Sequence, residues 1–176
     1  MPNWCKNLLK APGESLKDVL TKEQEVSFEL ISPMPKELEN TISPSKESNQ
    51  ELIEKYGSDN WYDWRWSNWG CKWNASETMI PEDEDIIEFT TPWAPPINWL
   101  QTLSRKYPGK KFRIQFADEF IGQAPLGEIT VVNGEITQEK MPRKGKSHAE
   151  QAADEIWCGI WTENLVNMNK EKANEN

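Results

Sequence analysis

The 176-residue chain is 36% hydrophobic and carries a formal net charge of −9, with a pI near 4.8. That length fits one domain with extensions, and the acidity argues against a general binder of duplex DNA, which would show a basic stripe. No apolar run is long enough for a membrane span or signal peptide, and three scattered cysteines with a single histidine provide no recognisable zinc or iron–sulfur spacing.

Along the chain, residues 1–12 read as a first strand ended by Gly13, and Ser15 as the cap of a short helix from Leu16 to Lys22. Val26, Phe28 and Leu30 alternate with polar neighbours, which predicts a strand at 25–31. Residues 36–50 are polar and read as a loop excursion, and 50–57 as a short helix stopped by Gly57. The stretch WYDWRWSNWGCKWNA at 61–75 holds Trp61, Trp64, Trp66, Trp69 and Trp73. The alternation of Trp64, Trp66 and Trp73 with polar residues predicts a strand near 69–75, with Gly70 as a bulge or close backbone approach. The acid-rich run at 81–85 reads as a solvated turn.

Ile86, Ile87, Phe89 and Thr91 predict the next strand. Pro95 and Pro96 pre-set a helix from Ile97 to Tyr107, which Pro108-Gly109 stop. Phe112, Ile114 and Phe116 predict a strand at 111–117. Gly122 leads to a hairpin with arms at 127–132 and 135–138, joined by Asn133-Gly134, the strongest short hairpin signal. Lys140, Arg143, Lys144 and Lys146 form a basic hinge, and Ser147 with Glu150 a capping box opening a helix to about Val166. A polar tail follows. Helices alternate with half-polar strands, which predicts an α+β fold: a mostly antiparallel sheet with helices packed on one face, plus a C-terminal helix.

The tryptophans are the chemical feature of the chain. Aromatic stripes are usually packing. A flat ligand could instead lie between indoles with a few convergent polar groups. On that reading the ligand-binding residues are Trp66, Asn68, Trp69, Trp73 and Trp93: Asn68 as donor and acceptor in a bend, Trp93 as a second wall held by prolines. His148 has no nucleophile placed beside it in sequence, Cys71 reads as a buried small hydrophobe, and the adjacent Asp118 and Glu119 point to opposite faces and read as a solvated strand end. No catalytic or metal-binding set emerges, so a non-enzymatic protein without cofactor is expected.

MPNWCKNLL, SFELISPMPKEL, SNWGCKW, TPWAPP and YPGKKF occur in this order, and over roughly residues 1–138 the chain resembles the YubB ferredoxin-like family of plasmid and phage proteins. Cys71 stands where that resemblance expects a small residue such as Thr, and Asn74 where it expects Asp. The resemblance implies a ferredoxin-like domain over 1–138 with a Trp-rich insertion at about 36–80, followed at 139–176 by the hinge, helix and tail. It also implies a mobile-element setting; the unpaired thiols and the lack of a signal-length apolar run add the expectation of a cytoplasmic protein in the host bacterial cell. The expected function is binding of a nucleotide-like ligand or a basic host protein, countering or modulating a host defence system. The alternative is single-stranded nucleic-acid binding; neither duplex DNA nor a membrane is an expected partner.

Overall fold

The structure, a computed structural model, describes residues 2–82, 85–120 and 124–167. Part of the acidic turn, Gly122 and the polar tail of the sequence reading lie outside them. Strand β1 (Trp4–Lys10) is followed by α1 (Gly13–Lys17), α2 (Gln50–Tyr56), α3 (Trp61–Asn68), β2 (Ser76–Met79), β3 (Ile86–Pro92), α4 (Ile97–Lys106), β4 (Lys111–Asp118), β5 (Leu126–Val132), β6 (Glu135–Pro142), α5 (Lys146–Trp157) and β7 (Leu165–Asn167). The strands form one sheet in the order β2-β3-β1-β4-β5-β6-β7, with every neighbouring pair antiparallel.

Strand β1 lies between β3 and β4, so these two run parallel to each other without touching, and α4 crosses from one to the other. This is a split βαβ unit, the ferredoxin-like arrangement. The β1 register sets the two faces: Cys5, Asn7 and Leu9 stand beside Thr91, Phe89 and Ile87, whereas Lys6, Leu8 and Lys10 stand beside Thr90, Glu88 and Ile86. The first face carries the main core, with Phe89, Phe112, Ile114 and Val131 meeting Trp99, Leu100 and Leu103 of α4, and Phe28 and Trp69 from the segment between α1 and β2. The second face is covered by α5, through Leu8, Ile86, Ala117, Ala153 and Ile156.

Several sequence expectations change. No strand forms at 25–31: Val26 makes one isolated bridge with Leu20, and Phe28–Leu30 is a 3-10 turn. Side chains replace the ladder there, since Val26 N–H donates to Thr78 Oγ1 (2.9 Å) and Phe28 N–H to Asn74 Oδ1 (2.7 Å). The strand expected near 69–75 is also absent. Residues 61–68 are helical because Asn60 caps them, its side chain accepting from Asp63 N–H at 2.9 Å.

Ser15 lies inside α1 rather than capping it, its hydroxyl donating to the Pro12 carbonyl. The Ser147–Glu150 capping box does not form, because α5 opens after Gly145 without a side-chain cap. Helix α5 also stops at Trp157 rather than near Val166. Gly159 follows with φ 74°, where an added Cβ would lie 2.3 Å from Glu88 Oε1. Residues 165–167 instead pair with β6. The hairpin forms as its sequence predicts, Asn133 and Gly134 both at positive φ (53° and 80°) as a type I′ turn requires.

Candidate functional site

The C-terminal end of α3 meets the N-terminal end of α4 at Gly70. That residue has φ 86°, and a Cβ there would come within 3.2 Å of Ile97 N, so Gly70 permits the close approach its sequence context suggested. Asn98 Nδ2 donates to the carbonyls of Trp66 and Ser67, both at 3.0 Å, and Trp99 N–H donates to Trp69 O. These bonds satisfy carbonyls that the end of a helix leaves open and lock α3 onto the split βαβ unit.

The locked junction places Trp73 beside Trp93. Their ring centroids are 6.1 Å apart with planes tilted by 33°, and they are 37% and 38% exposed. Trp93 holds its ring out from φ 62°, an uncommon backbone angle for a bulky residue, with its N–H donating to Asn3 O. The Lys72 ammonium lies 4.5 Å from the Trp73 centroid, 5.1 Å from Trp93 and 5.9 Å from Tyr62. Cation–π attraction of this kind is worth about 0.5–1 kcal/mol per exposed pair. Among the described residues Lys72 has no ion-pair partner within 4.0 Å.

The other expected residues fall elsewhere. Trp69 is a core residue, 1% exposed, with Nε1 donating to Ser32 O and its ring edge-on to Phe28 and Trp64. The Asn68 amide donates back to Trp64 O within its own helix. Trp66 is half-buried and edge-on to Tyr62, with its Nε1 buried and without a partner among the described residues. Of the five residues, the structure therefore brings together Trp73 and Trp93, sets Trp66 against Tyr62, turns Trp69 into the core and engages the Asn68 amide within its own helix. Tyr62 and Lys72 are the additions. Lys72, directly before Trp73, was the signal available in sequence.

Arg65 packs between two other rings of the stretch, with its Nε buried. Its guanidinium carbon lies 5.1 Å from the Trp61 centroid and 5.0 Å from Trp69, one helical turn away on either side. Burial lowers its pKa, while Glu29, Cys71 and Glu39 act in the opposite direction. An apolar groove of about 400 Å³ between Leu16, Leu20, Ile80 and Ile86 includes none of the expected residues.

The remaining candidate groups are occupied or isolated. Asp118 is buried rather than solvated; its Oδ1 accepts from Phe120 N–H, and Glu119 Oε1 accepts from Trp4 N–H. Burial pushes the Cys71 thiol up to about 12. Lys140 lies within β6, 3.1 Å from Glu128, rather than in a hinge. Among the described residues no three His, Cys, Asp or Glu side chains converge as a metal site, and no helix is long and apolar enough to cross a membrane.

The antiparallel sheet with its split βαβ unit defines an α+β protein of ferredoxin-like architecture. A family model described as the ferredoxin-like domain in Api92-like protein matches residues 68–158, just over half the chain. The chain belongs to that family. The match runs from the end of α3 through α5, so it takes in Lys72, Trp73 and Trp93 but not strand β1, which lies between β3 and β4. No curated protein and no solved structure matches the chain.

Proposed function

We propose that this protein is a non-enzymatic binding protein that takes a flat, anionic, nucleotide-like ligand on the surface formed by Trp73, Trp93, Tyr62 and Lys72. The observation that carries the reading is the tilted Trp73–Trp93 pair, both rings more than a third exposed, with the Lys72 ammonium, which has no ion-pair partner among the described residues, lying across them. An exposed indole gives a base a stacking face worth about 1–3 kcal/mol. The ammonium supplies a counter-charge for phosphate. A basic host protein fits less well, because its cations would meet Lys72 first. The resemblance to the YubB family supports a phage or plasmid setting, in which the captured ligand belongs to a host defence or regulatory system.

Single-stranded nucleic acid is the second reading. It is favoured by the alternation of cations and rings from Arg65 over Trp61 to Lys72 over Trp73, and opposed by the charge of −9.

The test is calorimetric titration with nucleoside mono-, di- and triphosphates and with short single-stranded oligonucleotides. Trp73→Ala and Trp93→Ala should each weaken binding by about 1–3 kcal/mol without moving the melting temperature, and Asn68→Ala should leave affinity unchanged. Affinity that rises steadily with oligonucleotide length would favour the second reading. Binding untouched by either tryptophan substitution would overturn both.

A further inference from the structure

A second cluster of cations lies on the α5 side of the sheet, away from the tryptophan pair. Lys10 of β1 stands directly beside Arg113 of β4, and Lys111 lies two residues earlier on the same strand, hence on the same face. Together with Ala11, Pro12 and Asp85 they line a cleft of about 290 Å³. Among the described residues Asp85 is its only acid.

Two features hold the cationic groups in place. Trp161 lies under both, 4.8 Å from the Arg113 guanidinium and 5.8 Å from the Lys10 ammonium. Glu128, 1% exposed, fixes the guanidinium by accepting from Nε at 3.2 Å and from Nη2 at 3.0 and 3.1 Å. Among the described residues that leaves Nη1 without an acceptor, on a side chain that is 28% exposed. Glu128 does not neutralise the cluster, because Lys140 shares the same carboxylate at 3.1 Å. Lys10 and Lys111 have no ion-pair partner among the described residues.

We propose that this cleft is an anion site for a phosphate-bearing small molecule, held by Lys10, Lys111 and the free Nη1 of Arg113. The arrangement selects phosphate over carboxylate. A carboxylate is recognised best by a two-pronged edge of a guanidinium, and the Nε–Nη2 edge of Arg113 is already given to Glu128. What remains are single donors arriving from two strands, which suit a tetrahedral anion with several oxygens. Because Trp161 and Glu128 hold the Arg113 guanidinium, and the indole also steadies Lys10, little ordering remains to be done on binding. The site is independent of the tryptophan pair and of the function proposed for it.

The experiment is calorimetric titration of the full chain with inorganic pyrophosphate, and separately with citrate, at low and at physiological salt. Pyrophosphate should bind saturably at one site, and citrate at least about tenfold more weakly. Lys111→Gln and Lys10→Gln should each reduce pyrophosphate affinity by about tenfold with the melting temperature unchanged, whereas Lys17→Gln should leave it as in the parent. Absence of saturable pyrophosphate binding would overturn the proposal. So would equal affinity for citrate, or an equal loss in Lys17→Gln, which would mark diffuse charge attraction. Nucleotide binding that survives Lys111→Gln while pyrophosphate binding is lost separates this site from the tryptophan surface.

Discussion

The two faces of the sheet are both buried, but by different chemistry. Toward α4 the contacts are large and apolar: Trp99 lies 4.7 Å from Phe28 and 6.5 Å from Phe89, centroid to centroid, and Trp69 closes the cluster at 5.6 Å from Phe28. Toward α5 the sheet presents charges. Lys6 and Glu88 pair at 2.7 Å, with side chains 10% and 8% exposed. Gln115 Nε2 donates to Glu128 and to Thr162 O, while Thr162 N–H donates back to Gln115 Oε1. The difference teaches that polar positions of an alternating strand need not face water. A later helix can cover them, provided each charge finds a partner. The apolar face should supply most of the stability and the polar face most of the sensitivity to lost partners.

The largest effect that could break this comparison is Trp99→Ala. Removing a fully buried indole from the centre of the apolar face should lower stability by about 3–5 kcal/mol, read from denaturant unfolding. A loss as small as that of a surface substitution would mean the α4 face is not the main core.

The polar face is sharpened by a pair of variants. Glu88→Gln leaves Lys6 charged and without its counter-charge, and should destabilise by about 2–3 kcal/mol. The double variant Lys6→Met with Glu88→Leu should return to within about 1 kcal/mol of the parent, because two desolvated charges are replaced by apolar groups of similar size. A double variant worse than Glu88→Gln alone would show that the ion pair itself, rather than the avoidance of an orphaned charge, stabilises α5 on the sheet.

The smallest effect concerns the thiols. Cys5 and Cys71 belong to the apolar core, whereas Cys158 is exposed at the end of α5. One thiol per native chain should react rapidly with an aromatic disulfide reagent, and the other two only on unfolding. Burial raises both core thiols above their ordinary value of 9.0, with nearby Asp118 adding to the rise at Cys5. Their contribution to stability is complete below pH 9.0. It declines as the pH climbs from there toward about 12, because the unfolded chain ionises while the folded one stays neutral. Urea midpoints measured across that interval should fall with rising pH, and the fall should be smaller in Cys71→Ala.

The sequence by itself determined the elements whose signals are local. Alternation in Phe112, Ile114 and Phe116 specifies β4, Asn133-Gly134 specifies the hairpin, and Pro95-Pro96 with Pro108-Gly109 bracket α4, since each rests on backbone preferences of neighbouring residues. The antiparallel α+β class followed from those elements, and Trp73 and Trp93 were legible as candidates from composition. Only the tertiary structure decided which tryptophans are core. Trp69 and Trp73 are equally aromatic and lie four residues apart; the α3–α4 junction at Gly70 turns one inward onto Phe28 and leaves the other beside Trp93. The 25–31 segment carried a strand pattern but found side-chain acceptors on Asn74 and Thr78 instead of a neighbouring strand. The burial of Lys6, Glu88 and Glu128 could not be read from periodicity. Alternation reports which residues share a face, and what covers that face is set by contacts between segments far apart in the chain.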